Sequence, residues 1–340
     1  MAGPVERACP GHVLFPARRG ARPHNDIASG LVPAKRDQQI APAMKSVGRI
    51  LLQAVLLGAV ACPPAHAQSE FLGERFPYLA FDLLPKTPIT VGGGTLNVGF
   101  APGKFVLPQN PLLGWIENSA KAASVYFGKF PVASVGILIV PAPGGDVQGG
   151  SSFGFRGAAI RLVVGSDATE SELRDDWVAV QEMTHLALPD IREPYLWLAE
   201  GIATYVEPIA RVQTGQLTAE TIWADMVRDM PKGLPERGDR GLDRTPTWGR
   251  IYWGGAMFCL LADIAIRKRT GNKRGLQHAL RGIVAAGGTI EQDWPVARIF
   301  SVGDKATGTT VLGGRCATSP MRPISMPCGA TSVFRYKGAA

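Results

Sequence analysis

Cysteine is scarce in this chain, five among 340 residues, and Cys9 and Cys62 fall within the first 67. A fold stapled by disulfides is therefore excluded. A long apolar run is missing from the N-terminal region too: residues 50–61 give about twelve, against the roughly twenty that a membrane-spanning helix needs. An excess of charge is also missing where it would matter. The formal net charge is +8, but residues 1–67 carry eight Lys/Arg against three Asp/Glu, so the remainder holds only +3. Charge that mild excludes a nucleic-acid partner held by electrostatics alone. The glycine-rich stretch 144–150 lacks the G-x-x-x-x-G-K-[ST] pattern of a phosphate loop, and no internal repeat is visible. Glycine and proline, 41 and 27, are plentiful, which predicts a loop-rich but globular body.

What is present begins with an export signal. From Met44, Lys45 and Arg49 form a basic region, residues 50–61 an apolar one, and Ala65-His66-Ala67 an A-x-A cleavage site. Residues 44–67 are thus expected to be a signal peptide. Residues 1–43, rich in Pro, Arg and Ala, are expected to be a non-native or unstructured prefix, with translation starting at Met44. The expected location is periplasmic or secreted, without stable membrane insertion once the signal is cleaved. A lipoprotein cysteine at Cys62 is the lesser alternative, because no Leu stands three residues before it. Cleavage leaves Cys259, Cys316 and Cys328. Cys316 and Cys328 are the one close pair, while Cys259 lies in an apolar run and reads as a small buried hydrophobe.

The mature chain divides by pattern. Residues 89–100 predict a β-hairpin around Gly92-Gly93-Gly94. Pro111 opens a helix to about Phe130, with Leu112, Ile116, Ala120, Ala123 and Phe127 on one face and Gly128 near its end. Residues 132–140 and 152–164 read as two strands. Thr169 and Glu172 then announce a helix running to Pro189, with Leu173, Trp177, Val180 and Thr184 at helical spacing. Further helices are expected at 194–212, 218–230, 251–266 and 273–286. The fold class is α+β: a small β-rich, mixed-sheet part over 68–165, a mainly helical part over 166–312, and an irregular tail over 313–340.

Candidate chemistry sits on two of those helices. Gln181 and His185 are four apart, hence on one helical face, with Glu182 beside them; after fourteen intervening residues comes Glu200, followed by Gly201. In H-E-x-x-H two histidines one turn apart hold zinc and the glutamate moves a proton from the attacking water, while a later carboxylate completes three protein ligands. Here the layout is Q-E-x-x-H followed by E-G.

Glu182, His185, Trp197, Leu198, Glu200, Gly201, Ala203 and Tyr205 match H-E-x-x-H followed by W-L-x-E-G-x-A-x-Y. This stretch resembles the gluzincin zinc metallopeptidases, especially the glycyl-aminopeptidase-like and peptidase MA-like groups. Tyr252-Trp253-Gly254-Gly255-Ala256 looks like the Y-x-x-G-A that opens a later helix in those enzymes. The resemblance implies a thermolysin-like catalytic subdomain, Glu182 as general base, His185 and Glu200 as zinc ligands, and Tyr252 as oxyanion donor. It further implies a substrate-pairing strand edge, which residues 149–164 look like. The resemblance covers roughly residues 110–310.

The departure is Gln181, which stands where the family has its first histidine; a neutral amide oxygen is a far poorer zinc ligand than imidazole. After residue 67 the chain has two histidines, His185 and His278, and His278 lies on a basic amphipathic segment that reads as surface. Trp197 and Tyr205 read as core aromatics, and Tyr252 reads equally as core or catalytic. Two functions stay open. One is an exported zinc-dependent hydrolase of peptides or proteins; the other is an impaired pseudo-peptidase kept as a peptide-binding or scaffold module.

Overall fold

Gly92 and Gly93 reverse the chain at φ 58° and 83°, the positive values that a type I′ turn demands. They pair β1 (Lys86–Val91) with β2 (Gly94–Phe100) antiparallel, Val91 opposite Gly94. This is the expected hairpin. The structure, a computed structural model, describes residues 77–317, all within one compact unit. The expected prefix, the signal peptide and Cys328 lie outside the described residues.

From β2 the chain crosses through α2 (Gln109–Phe127) to β3 (Ser134–Ala142), parallel to β2. The expected face of α2 is the buried one, and Gly128 ends the helix at φ 83°, a left-handed cap that glycine adopts without a Cβ penalty. The single strand expected at 152–164 is instead two, β4 (Val147–Phe153) and β5 (Ala159–Gly165), paired antiparallel. Gly157, at φ 93°, lets the chain double back between them. The glycine-rich stretch 144–150 supplies the first part of β4. The sheet order is β1-β2-β3-β5-β4, with β5 parallel to β3, so β4 is an antiparallel edge.

One sheet face, with Leu96, Val98, Ile137, Ile139, Ile160 and Leu162, packs on Leu112 and Ile116 of α2. The opposite face, with Leu138 and Ala159, is covered by Tyr78 and Phe81 of α1 (Pro77–Leu83). Each such side chain buried contributes about 1.5–3 kcal/mol.

The helix expected from Thr169 to Pro189 breaks in the middle. Thr169 and Glu172 do form a capping box on α3 (Glu170–Asp175). Asp176 then leaves helical geometry (φ −60°, ψ 138°), because its carboxylate accepts the N–H groups of Val178 and Ala179 at 2.9 and 3.0 Å. Asp176 thereby starts a new helix, α4 (Val178–His185), as an N-terminal acceptor should. Ala179 and Met183 of α4 join the sheet core, and Val180 faces the helical half.

The helical half holds α5 (Leu196–Gln213), α6 (Ala219–Asp229), α7 (Gly255–Arg269) and α8 (Leu276–Ala285). These match the expected helices to within a few residues, except that Pro194 precedes α5 instead of opening it. Two more follow where no helix is expected: α9 (Val296–Thr307) and α10 (Val311–Ala317), the second carrying helix past Leu312. Their sequences are short and glycine-bearing, so packing of Ile299, Phe300, Val311 and Leu312 on the common core decides them. The architecture is α+β. No helix among the described residues is long and apolar enough to cross a membrane.

Candidate active site

Two glycines set the geometry of the site. A Cβ on Gly201 would lie 2.3 Å from the Gly255 backbone, and one on Gly255 would lie 2.1 Å from the Trp197 carbonyl oxygen. Helices α5 and α7 therefore touch backbone to backbone, one residue after Glu200. Just before Gly255, residues Arg250–Gly254 form a single π-helical turn that carries Tyr252. Such turns re-aim a side chain without ending a helix. The Tyr252 hydroxyl hydrogen-bonds Glu200.

Gln181, Glu182 and His185 come from α4. His185 Nε2 lies 3.5 Å from Glu200 Oε2, with both side chains largely buried; at that separation the contact is an ion pair more than a formed hydrogen bond. Burial pulls the imidazole pKa down, but the charge of Glu200 outweighs it and carries His185 to about 9. Burial pushes the Glu182 carboxyl up to about 7, opposed by His185 and by Ser152. Tyr252 is raised well above its ordinary value, first by burial and then by the charges of Glu200 and Glu182, so it stays protonated.

The sheet edge closes the other side. A Cβ on Gly150 would fall 2.5 Å from Glu182 Cγ and 2.8 Å from Val178 Cγ1, so β4 rests directly on α4. Two residues on, the Ser152 hydroxyl lies 2.6 Å from Glu182 Oε2 and 2.9 Å from the Glu182 carbonyl oxygen. Sequence reasoning missed Ser152; the Gly149-Gly150 pair beside it is the signal of a close backbone approach.

Of the residues singled out from the sequence, the structure brings Glu182, His185, Glu200 and Tyr252 into one cluster and places Gln181 one turn before His185. His278 is not part of it: it stands in the first turn of α8, where Nδ1 accepts the Gly275 N–H at 3.0 Å. Trp197 and Tyr205 are core residues, with the Trp197 ring edge-on to Phe258 at 5.1 Å and Tyr205 donating to Asp263. Cys259 is buried with a free thiol, and burial raises its pKa.

The donor set can be tested against zinc. Among the described residues no three His, Cys, Asp or Glu side chains form a metal-holding group. Yet Gln181 is buried, at 3% exposure, and Glu200 Oε2 is buried with no hydrogen bond and only the His185 imidazole 3.5 Å away. A buried carboxylate oxygen without a hydrogen bond is costly unless a ligand satisfies it. One imidazole, one carboxylate and one amide fit a zinc ion with two strong donors and one weak one.

No family model matches the chain, and no curated protein does. Among solved structures it is similar to an aminopeptidase N family protein from Idiomarina loihiensis, with TM-score 0.45 and 12% identity over 62% of this chain and 43% of that one. It is also similar to an M1 zinc metallopeptidase from Deinococcus radiodurans, with TM-score 0.43 and 17% identity over 71% of this chain and 52% of that one. The chain thus spans about half the length of these structures. A likeness of that extent leaves the chemistry to be judged from the site's own residues.

Proposed function

We propose that the chain is an exported, gluzincin-like hydrolase of peptide bonds, in which His185 and Glu200 hold zinc with Gln181 as a weak third ligand. The carrying observation is the convergence of Glu182, His185, Glu200 and Tyr252 beside an antiparallel sheet edge. Zinc, when bound, supplies Lewis-acid polarisation of a carbonyl and activation of water. Glu182, with a pKa of about 7 in the metal-free protein, is matched to taking a proton at neutral pH. Ser152 holds the Glu182 carboxylate from the edge strand. Tyr252 stays a phenol and so can donate to an oxyanion as charge develops. Strand β4 offers unpaired backbone groups to an extended peptide, the usual mode of strand addition. The signal-like residues 44–67 support the exported compartment.

A second reading has its own observation. With Gln181 in place of a histidine and no group of three His, Cys, Asp or Glu side chains poised to hold a metal among the described residues, the same side-chain cluster and sheet edge serve a peptide-binding module without catalysis. Elemental analysis of purified protein together with a peptide-hydrolysis assay separates the two. About one zinc per chain and hydrolysis abolished by Glu182→Gln support the enzyme. Absence of metal after dialysis against micromolar zinc, with peptide binding retained, selects the binding module.

A further inference from the structure

Tyr252 takes its direction from an uncommon piece of backbone. The Gly255 N–H donates to the carbonyl oxygen of Arg250, five residues back, the bond that makes Arg250–Gly254 a π turn. The residue whose carbonyl closes that ring also anchors it by its side chain. Arg250 Nε lies 2.7 Å from Asp239 Oδ2, with the two side chains 7% and 3% exposed, and the same guanidinium donates to the Gly233 carbonyl oxygen. Asp239 is fixed in turn, its other oxygen accepting the Gly241 N–H at 2.7 Å.

The segment that brings Asp239 there has little regular structure of its own. Between residues 234 and 247 it holds one 3-10 turn, Leu242–Arg244, and Leu234, Glu236, Arg237 and Gly238 are exposed. Three attachments tie it to the frame of the site. Asp239 holds Arg250; Leu242 packs on the π turn, where a Cβ on Gly254 would lie 2.8 Å from Leu242 Cδ2; and Asp243 accepts Trp197 Nε1 at 2.6 Å, three residues before Glu200 on α5.

An ion pair buried this deeply is weak evidence for stability, because the desolvation of both charges offsets their attraction, and an apolar pair of similar volume serves stability as well. What it supplies is a single geometry. The guanidinium is a rigid fork of donors, and Asp239 and Gly233 receive it together at one placement of the Arg250 backbone. If the turn relaxed to α geometry, Tyr252 would rotate about the helix axis, away from the Glu200 carboxylate to which its hydroxyl is hydrogen-bonded.

We propose that Arg250 and Asp239 are positioning residues: their buried pair holds the π turn in the register that aims the Tyr252 hydroxyl at Glu200. The consequence for catalysis rests on the peptide-hydrolase reading above, in which Tyr252 meets the developing oxyanion.

The test is NMR of the full chain with tyrosine carrying 13C at the ring carbon that bears the hydroxyl. Tyr252→Phe assigns the Tyr252 resonance, and Glu200→Gln gives its position without the carboxylate. The double variant Asp239→Leu with Arg250→Met removes both charges and leaves neither buried alone. It is expected to move the Tyr252 resonance to its place in Glu200→Gln, while the resonance of Tyr205, in the core of α5, stays where it is. Asp239→Asn, which keeps the side-chain shape, is the second variant and is expected to move Tyr252 in the same direction by less. With a peptide substrate, kcat is expected to fall about tenfold or more at unchanged KM, as for the loss of an oxyanion donor. A Tyr252 resonance that stays at its parental position in the folded variants overturns the proposal. So does a shift shared by Tyr205, which marks general loosening of the helical core. Absence of hydrolysis by the parent chain overturns the peptide-hydrolase reading and leaves the resonances to decide the positioning role.

Discussion

His185 Nε2 and Glu200 Oε2 meet at 3.5 Å, joining the last residue of α4 to the second turn of α5 with 14% and 12% of the two side chains exposed. Opposite charges there hold the two helices together in the metal-free protein, and the imidazole keeps its proton to about pH 9. A raised histidine pKa means that the pair's stabilisation is full below the ordinary value of 6.5 and is lost as pH rises through about 9. NMR titration of chelator-treated protein should give His185 a midpoint near 9. In Glu200→Gln, burial is left to act against only Glu182, and the midpoint should fall toward 6.5 or below. An unchanged midpoint in the variant would show that the pair does not form in solution.

Gln181→His restores an imidazole one turn before His185, facing the same side of α4. Zinc affinity, measured by competition with a metal indicator, should rise at least about tenfold, since even groups outside the ligand shell change metal affinity by that much. Unchanged affinity would remove Gln181 from the metal-facing side.

Periodicity made part of this site legible. The i, i+4 spacing of Gln181 and His185 and the Glu200-Gly201 pair, each on a helix, survive as structure and converge. The rest depended on contacts between distant segments. Ser152 reaches Glu182 only because β4 folds back along β5 and presses Gly150 onto α4, and no local pattern encodes that register. The break at Asp176 is a local acceptor competing with an otherwise continuous helical pattern, in which Leu173, Val180 and Thr184 still fall on helical spacing.

Asp176 links the sheet half to the site helix, accepting from Trp115 Nε1 at 3.0 Å as well as from Val178 and Ala179. Burial raises its pKa from 3.8 to about 6, against those hydrogen bonds. A raised carboxyl pKa means that the folded state holds its proton more tightly than the unfolded chain, so this group's contribution to stability is greatest below about 3.8 and declines as pH rises through about 6. Asp176→Asn removes that decline and weakens the cap together with the Trp115 contact. Denaturant unfolding across pH 4 to 7 should show a stability loss with rising pH that is smaller in the variant. An identical slope in both would place the titration elsewhere.

Gly150→Ala tests whether the sheet edge controls the general-base candidate. The added methyl would overlap Glu182 Cγ at 2.5 Å, and Glu182 Oε1 lies at 2.9 Å, so either β4 retreats or the Glu182 side chain turns away from Ser152. Overpacking of this kind costs about 1–3 kcal/mol. Gly114→Ala is the matched control: it lies inside α2 with nothing within 4 Å of its Cβ, and alanine there should add about 0.5–1 kcal/mol of stability. Chemical denaturation should move the two variants in opposite directions. Under conditions where both are fully folded, peptide hydrolysis should fall in Gly150→Ala and hold in Gly114→Ala. A Gly150→Ala protein as stable and as active as the parent would mean that β4 does not rest on Glu182.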